Sequence, residues 1–246
     1  MPTARTGVRR QESGVRSLAL SPCIGRPACA LLVLLAAVFA SSAVTATASD
    51  SAQSLDETVR GIEARYRSVR TLRVAFTQTY QWGGSTRVES GTAYFARGGL
   101  MRWDYTEPQS KLVVSDGKRL WLYIPEAKQV TRSTMKTNED ARVPFPLLVS
   151  HFDLHRIFSK IEWAGNALKA DPGNRVLRGI PKRGYQEEYS EVLMEVTPSL
   201  DIRRLVVFYP DRSVMEFKFD DIKENVALAS RLFTFAPPAG TEVIDQ

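Results

Sequence analysis

Cysteine is nearly absent. The 246 residues hold two, Cys23 and Cys29, both near the N-terminus. A chain trimmed of that region has no disulfide, no thiol chemistry and no cysteine ligand for zinc. Histidine is as scarce, with only His151 and His155. Their i, i+4 spacing suits one helical face, but no glutamate stands between them as in the metalloprotease motif, and no cysteine completes a site. No metal is expected. G-x-S-x-G does not occur, and "RGGL" lacks the glycine count and the strand–helix context of a phosphate loop. The pairs Glu187-Glu188 and Asp220-Asp221 read as solvated turn charges. We therefore assign no catalytic residue and no cofactor.

Long apolar runs are missing too, except for "ACALLVLLAAVFA" at Ala28–Ala40. Five arginines precede it (Arg5, Arg9, Arg10, Arg16 and Arg26), and small polar residues ending in Ala46-Thr47-Ala48 follow. That order of charge, short apolar core and A-x-A site reads as a secretory signal peptide over residues 1–48. The run is too short to span ~30 Å of hydrocarbon comfortably. Neither cysteine follows it in the manner of a lipoprotein acylation site. Residues 49–246 are expected to form one exported domain. The formal charge of +6 shrinks with the leader, which takes five of the 33 basic and one of the 27 acidic residues and leaves 28 against 26. The basic pI of 9.4 thus belongs mostly to the leader, and nucleic-acid binding loses its main support.

What is present is one amphipathic helix and many strands. Ser54 and Glu57 have capping-box spacing, and Leu55, Val59, Ile62, Tyr66 and Val69 form an apolar stripe. "LRVAFTQTYQW" then alternates with period two, followed by "STRVESGTAYFAR", "LMRWDY", "KLVVSDGKRLWLYIP" and "KQVTRSTM". About six strands are expected between residues 72 and 133, with a two-residue hairpin turn at Asp116-Gly117. Pro144 and Pro146 break the pattern at "KTNEDARVPFPLLVSHFDLHRIFSKIEWAGNAL", which reads as an irregular apolar flap rather than a sheet member. Alternation resumes in "NRVLRGIPK", "YSEVLMEVTP", "DIRRLVVFYP", "SVMEFKFDDIKENVAL" and "RLFTFAPP". All four tryptophans lie beyond the leader, and most of the aromatics belong in a sheet core.

Four stretches occur in one order: "GTAYFARGGLMRWDYTEP", "LVVSDGKRLWLYIPEAKQVT", "VPFPLLV" and "FTFAPPAGTEVID". Together they resemble the outer-membrane lipoprotein carrier (LolA) family across roughly residues 55–245. The resemblance implies an α+β fold: an antiparallel, incompletely closed β-barrel with an N-terminal helix and a short helical lid around a hydrophobic cavity. It also implies a non-enzymatic monomer in the periplasm. Such a carrier takes acylated lipoproteins from an inner-membrane ABC transporter and delivers them to an outer-membrane lipoprotein receptor. The family's functional arginine falls on Arg97, whose implied partners are lid carbonyls around Leu147, Leu148 and Val149. The acyl-chain lining is expected from Phe76, Met101, Trp103, Leu122 and Phe145, with Leu147 and Leu148 from the lid. Two departures stand out. Gly98 follows the arginine where the family often has proline, and Met101 stands where it commonly has an aromatic.

Register decides where Arg97 points. A tight two-residue turn at Gly98-Gly99 sets Arg97 opposite Leu100 and puts Tyr94, Met101 and Trp103 on one face. A three-residue or bulged turn brings Arg97 to the Met101/Trp103 side, as the family role requires. Two rival readings remain. One is an envelope-stress regulator sensing lipoproteins with a similar half-barrel, and the other is a lipid-modifying enzyme using His151 or His155.

Overall fold

The computed structural model describes residues 54–134 and 153–246. Helix α1 (Leu55–Ser68) begins as its sequence dictates: the Ser54 hydroxyl accepts from the Glu57 N–H, and the Glu57 carboxylate accepts from the Ser54 N–H. This reciprocal box satisfies two of the free N–H groups that every helix start exposes. Val59 and Ile62 are fully buried, while Leu55, Tyr66 and Val69 pack partly against the same core, so the apolar stripe is the buried stripe.

Six strands follow: β1 (Thr71–Trp82), β2 (Ser85–Ala96), β3 (Leu100–Glu107), β4 (Lys111–Asp116), β5 (Arg119–Ile124) and β6 (Gln129–Thr134). Beyond residue 153 come a single helical turn α2 (Leu154–Ile157), then β7 (Phe158–Trp163), β8 (Arg175–Pro181), β9 (Glu191–Val196), β10 (Ile202–Phe208), β11 (Val214–Glu224) and β12 (Glu242–Asp245). The strands form one sheet in the order β12-β6-β5-β4-β3-β2-β1-β11-β10-β9-β8-β7. Every pair is antiparallel except β12 with β6. The edge strands β12 and β7 do not pair with each other, so the sheet stays open. The expected antiparallel, unclosed architecture with an N-terminal helix is the one observed.

Four local expectations are corrected. "FSKIEW", read as part of the irregular flap, is edge strand β7 paired with β8. The prolines that suggested a flap, Pro144 and Pro146, lie outside the described residues. "RLFTFAPP" is a 3-10 turn at Ser230–Phe233 followed by irregular chain, because Phe235 packs on Trp121 and Tyr123 instead of joining a strand. Strand β12 was not anticipated. The β4–β5 turn sits one residue later than expected, at residues 117–118, and the Asp116 carboxylate accepts from the Lys118 and Arg119 N–H groups.

The two faces of the sheet carry separate cores. The inner face, beneath α1, holds the large cluster that joins Val59 and Ile62 to Phe76, Phe95, Met101, Trp103, Phe217 and Phe219. The outer face has two small patches: Val114, Trp121 and Val130 beside Phe235, and Val176, Leu193 and Val206 beside Leu168.

Candidate functional site

Strand alternation brings three of the predicted lining residues together. Phe76 of β1 meets Trp103 of β3 edge-to-face, their ring centroids 4.7 Å apart. Tyr105, two residues along β3, meets the same Phe76 at 4.9 Å. Phe95 and Phe217 flank Trp103 at 5.4 and 5.7 Å. Such offset contacts suit the ring quadrupoles and add to the burial of the rings. Met101 and Trp103 are each 1% exposed and Phe76 is 2% exposed. Leu122 shares their face, since Trp103 pairs with Val113 and Val113 with Leu122, but it is only half-buried. Phe145, Leu147, Leu148 and Val149 lie outside the described residues.

The turn between β2 and β3 settles the register. Ala96 pairs with Leu100, so the loop is the three-residue Arg97-Gly98-Gly99. Phe95 then faces Met101 and Ala93 faces Trp103, while Tyr94 pairs with Arg102 on the other side. The tight-turn alternative, with Tyr94 beside Met101 and Trp103, is therefore wrong. Gly98 and Gly99 have φ of +87° and +77°. Proline is locked near −65° and cannot adopt that conformation, so this turn is built differently from one with proline after the arginine.

Arg97 is exposed, yet its guanidinium is placed. Nη2 donates to the Arg67 carbonyl at 2.6 Å and Nε to the Val69 carbonyl at 3.4 Å. Its backbone N–H donates to the Arg70 carbonyl at 3.2 Å. A helix end leaves its last carbonyls without intrahelical partners and carries partial negative charge. Arg97 thus caps the C-terminus of α1 and ties it to the β2–β3 turn.

Three further contacts fix α1. Arg65 reaches Asp201 at 2.5 Å and Glu224 at 2.9 Å. The Tyr66 hydroxyl accepts from the Ile202 N–H at 2.9 Å, and burial pushes its ionisation well above the ordinary tyrosine range. Buried Glu63 accepts from the Leu154 N–H at 2.8 Å, joining α1 to α2. Sequence reading placed Tyr66 in the apolar stripe but did not single out Arg65 or Glu63, because a charged group on a helix looks solvated until its partner is known. Tyr105, Phe95 and Phe217 were likewise missed as site residues, although the alternation in "LMRWDYTE" and "VMEFKFD" contains two of them.

Among the described residues a small gap lies under α1. A gap lined by Tyr66, Leu72, Val74, Phe95, Ile202, Phe219 and Ile222 leaves about 10 Å³ for a water-sized sphere, at the lower limit for one water. A larger, open depression of about 690 Å³ lies in the β7–β8 connection, and Lys169, Asp171 and Asn174 give it a mixed lining. It is not the apolar cavity the sequence suggested. The apolar residues sit beneath α1, packed against other side chains. His155 is exposed on α2, and His151 lies outside the described residues. Among the described residues no cluster of His, Cys, Asp or Glu could hold a metal ion.

Comparison with known proteins bears on this arrangement. The family model for "Outer membrane lipoprotein carrier protein LolA" matches residues 67–236. An outer-membrane lipoprotein carrier protein of Dechloromonas aromatica is 30% identical over 183 residues, covering 73% of this chain and 84% of its own. The protein of the same name from Chromobacterium violaceum is 30% identical over 218 residues, covering 85% and 94%. Among solved structures, an uncharacterized conserved protein from Thermus thermophilus aligns with a TM-score of 0.49 at 13% identity, over 79% of this chain and 100% of that one. That likeness is too distant to carry an argument about function. The match spanning β1 to β11, together with relatives at this identity, is decisive: the chain belongs to the outer-membrane lipoprotein carrier family.

Proposed function

We propose that residues 1–48 direct export and are removed, and that residues 49–246 escort acylated lipoproteins through the periplasm. The cargo comes from an inner-membrane ABC transporter and goes to an outer-membrane receptor. The carrier works as a monomer, without cofactor or catalysis. The observation that supports this most is the inner-face cluster of Phe76, Met101 and Trp103, an apolar surface covered by a helix that polar contacts hold at Glu63 and at its C-terminal end.

The physics of the cargo requires such a surface. Each methylene moved out of water is worth ~0.8 kcal/mol, so several long acyl chains left in water would cost tens of kcal/mol. Among the described residues the gap beneath α1 leaves about 10 Å³, and on this reading uptake displaces the cover. Individual polar ties are the right size for this, since a hydrogen bond to a charged group is worth ~1.5–3 kcal/mol and less where water competes. Acyl burial outweighs them, while the empty face stays shut. Arg97 is the proposed latch. It grips the end of α1, and Leu147, Leu148 and Val149 are its proposed partners on the lid side.

The test is to purify wild-type and Arg97→Leu protein from the same cells and identify co-purifying acylated proteins by mass spectrometry. Both should carry cargo, and the variant should accumulate it because handover to the receptor fails. Absence of acylated proteins from both, even with the receptor depleted, contradicts the carrier reading and favours a regulator. Normal handover by Arg97→Leu contradicts the latch alone.

A further inference from the structure

Burial along the β1–β2 hairpin stops abruptly. Gln78 and Glu89, which pair across it, are buried, and every residue from Gln81 to Val88 is exposed. The tip "YQWGGSTRV" (residues 80–88) turns through Gly83-Gly84, both at positive φ, and carries the two most exposed large apolar side chains among the described residues. Trp82 is 59% exposed and Val88 is 51% exposed. They stand on opposite faces of the ribbon, because Trp82 pairs with Ser85 and Val88 with Thr79. The tip has no acidic residue. Its one charge is Arg87, whose guanidinium lies 5.9 Å from the centre of the Tyr80 ring.

We infer that this hairpin tip is a membrane-docking element that inserts Trp82 into the headgroup layer of an anionic phospholipid surface. Two-sidedness decides between lipid and protein. A rigid partner lying against the ribbon covers one face and leaves either Trp82 or Val88 in water. A fluid headgroup layer surrounds the tip and takes both. Composition agrees: tryptophan and tyrosine favour the boundary where one end of the ring is apolar and the other wet. Glu89 lies 3.7 Å from Arg87 but is held closer by Lys111, at 2.9 Å, so the exposed arginine is still attracted to anionic lipid, as basic residues near such surfaces are.

Position gives the docking a consequence. Trp82 lies on the inner face of β1, six residues beyond Phe76 on the same alternating row. At ~3.3 Å per residue the row runs roughly 20 Å from the buried cluster to the tip. Gln78, which accepts from the Tyr105 hydroxyl, and Tyr80 stand between them, and docking sets the tip of this row against the bilayer, where an acylated protein would leave or enter lipid. The docking itself does not depend on the carrier reading. Failure of that reading would leave vesicle binding intact.

The experiment uses the exported, processed protein with protein-free vesicles. One set contains phosphatidylglycerol with phosphatidylethanolamine, and the other is phosphatidylcholine alone. Co-sedimentation should favour the anionic vesicles, and brominated lipid should quench indole emission. Trp82→Ser should weaken association roughly tenfold, given the ring area withdrawn from water, and abolish the quenching. Trp82→Tyr should restore most of the association, and Arg87→Ser should remove the preference for anionic lipid. Equal association of wild type and Trp82→Ser would overturn the inference. Association confined to vesicles that retain native membrane proteins would also overturn it, and would make the occupant a protein.

Discussion

Gly91→Ala should lower the stability of the fold sharply. Gly91 sits where the β2–β3 register shifts, next to the step between Ser90 and Gly91. A Cβ there would lie 1.9 Å from the Asp104 carbonyl oxygen and 2.9 Å from the Tyr105 Cα. Both are backbone atoms of the neighbouring strand, so no side chain can swing aside. Relief requires β2 and β3 to separate, and that pair sets Ala93 against Trp103 and Phe95 against Met101. Overpacking a core typically costs 1–3 kcal/mol, and a backbone overlap with no soft neighbour should reach or exceed ~3 kcal/mol. Against a total stability of ~5–15 kcal/mol, that removes roughly a fifth to three fifths of the margin that keeps the chain folded. Urea unfolding measures it, with Gly84→Ala as the comparison. Gly84 has φ of +82° but nothing within 4 Å of a Cβ, so that variant carries only ~1–2 kcal/mol of conformational strain. An equal or smaller midpoint shift for Gly91→Ala would mean that the strands do not approach as described.

Trp103→Ala should be at least as damaging, at ~3–5 kcal/mol for loss of a large buried ring. Its ring contacts Phe76, Phe95 and Phe217 at 4.7, 5.4 and 5.7 Å, so neighbours anchored in three other strands lose their partner together. Trp121→Ala is the control from the outer face. Trp121 is 7% exposed and packs in the small patch with Val114, Val130 and Phe235. Thermal unfolding should rank Trp103→Ala below Trp121→Ala. The carrier account adds a readout that stability alone would not move. Trp103→Leu, which keeps the face apolar, should retain cargo binding, and Trp103→Gln, with a polar amide on that face, should lose it. Equal cargo binding by those two variants would separate Trp103 from the binding surface.

Much of this organisation is written locally in the chain. The Ser54/Glu57 box and the Val59/Ile62 stripe specify α1, because both signals lie within a few turns. Alternation specifies β1 to β6 and places Phe76, Met101 and Trp103 on one face once the turn length is known. Turn length was the gap. Two glycines in a row accept either a tight or a three-residue loop, and the choice rests on β2–β3 pairing rather than on Gly98-Gly99 themselves. Short edge elements were also hidden. β12 has four residues, all exposed, so it carries no burial pattern to read. Arg97 shows the deepest limit. Its observed partners are backbone carbonyls of Arg67 and Val69, and a carbonyl is the same at every position in the sequence. "RLFTFAPP" failed in the other direction, since its apolar alternation serves an outer-face patch instead of a strand.

The central claim is that acyl chains occupy the inner face of the sheet beneath α1. Site-specific photo-crosslinking tests it most directly, with a diazirine-bearing aliphatic residue placed at Met101 or at Val114. The two positions are matched in burial, at 1% and 0% exposure, and face opposite sides of the sheet, since Met101 pairs with Ser115. With protein expressed alongside an acylated lipoprotein, irradiation should give a crosslink from position 101 and none from position 114. The crosslink should vanish when the lipoprotein's acylated cysteine is replaced. Crosslinks of equal yield from both positions, or none from position 101 while cargo still co-purifies, would contradict the account.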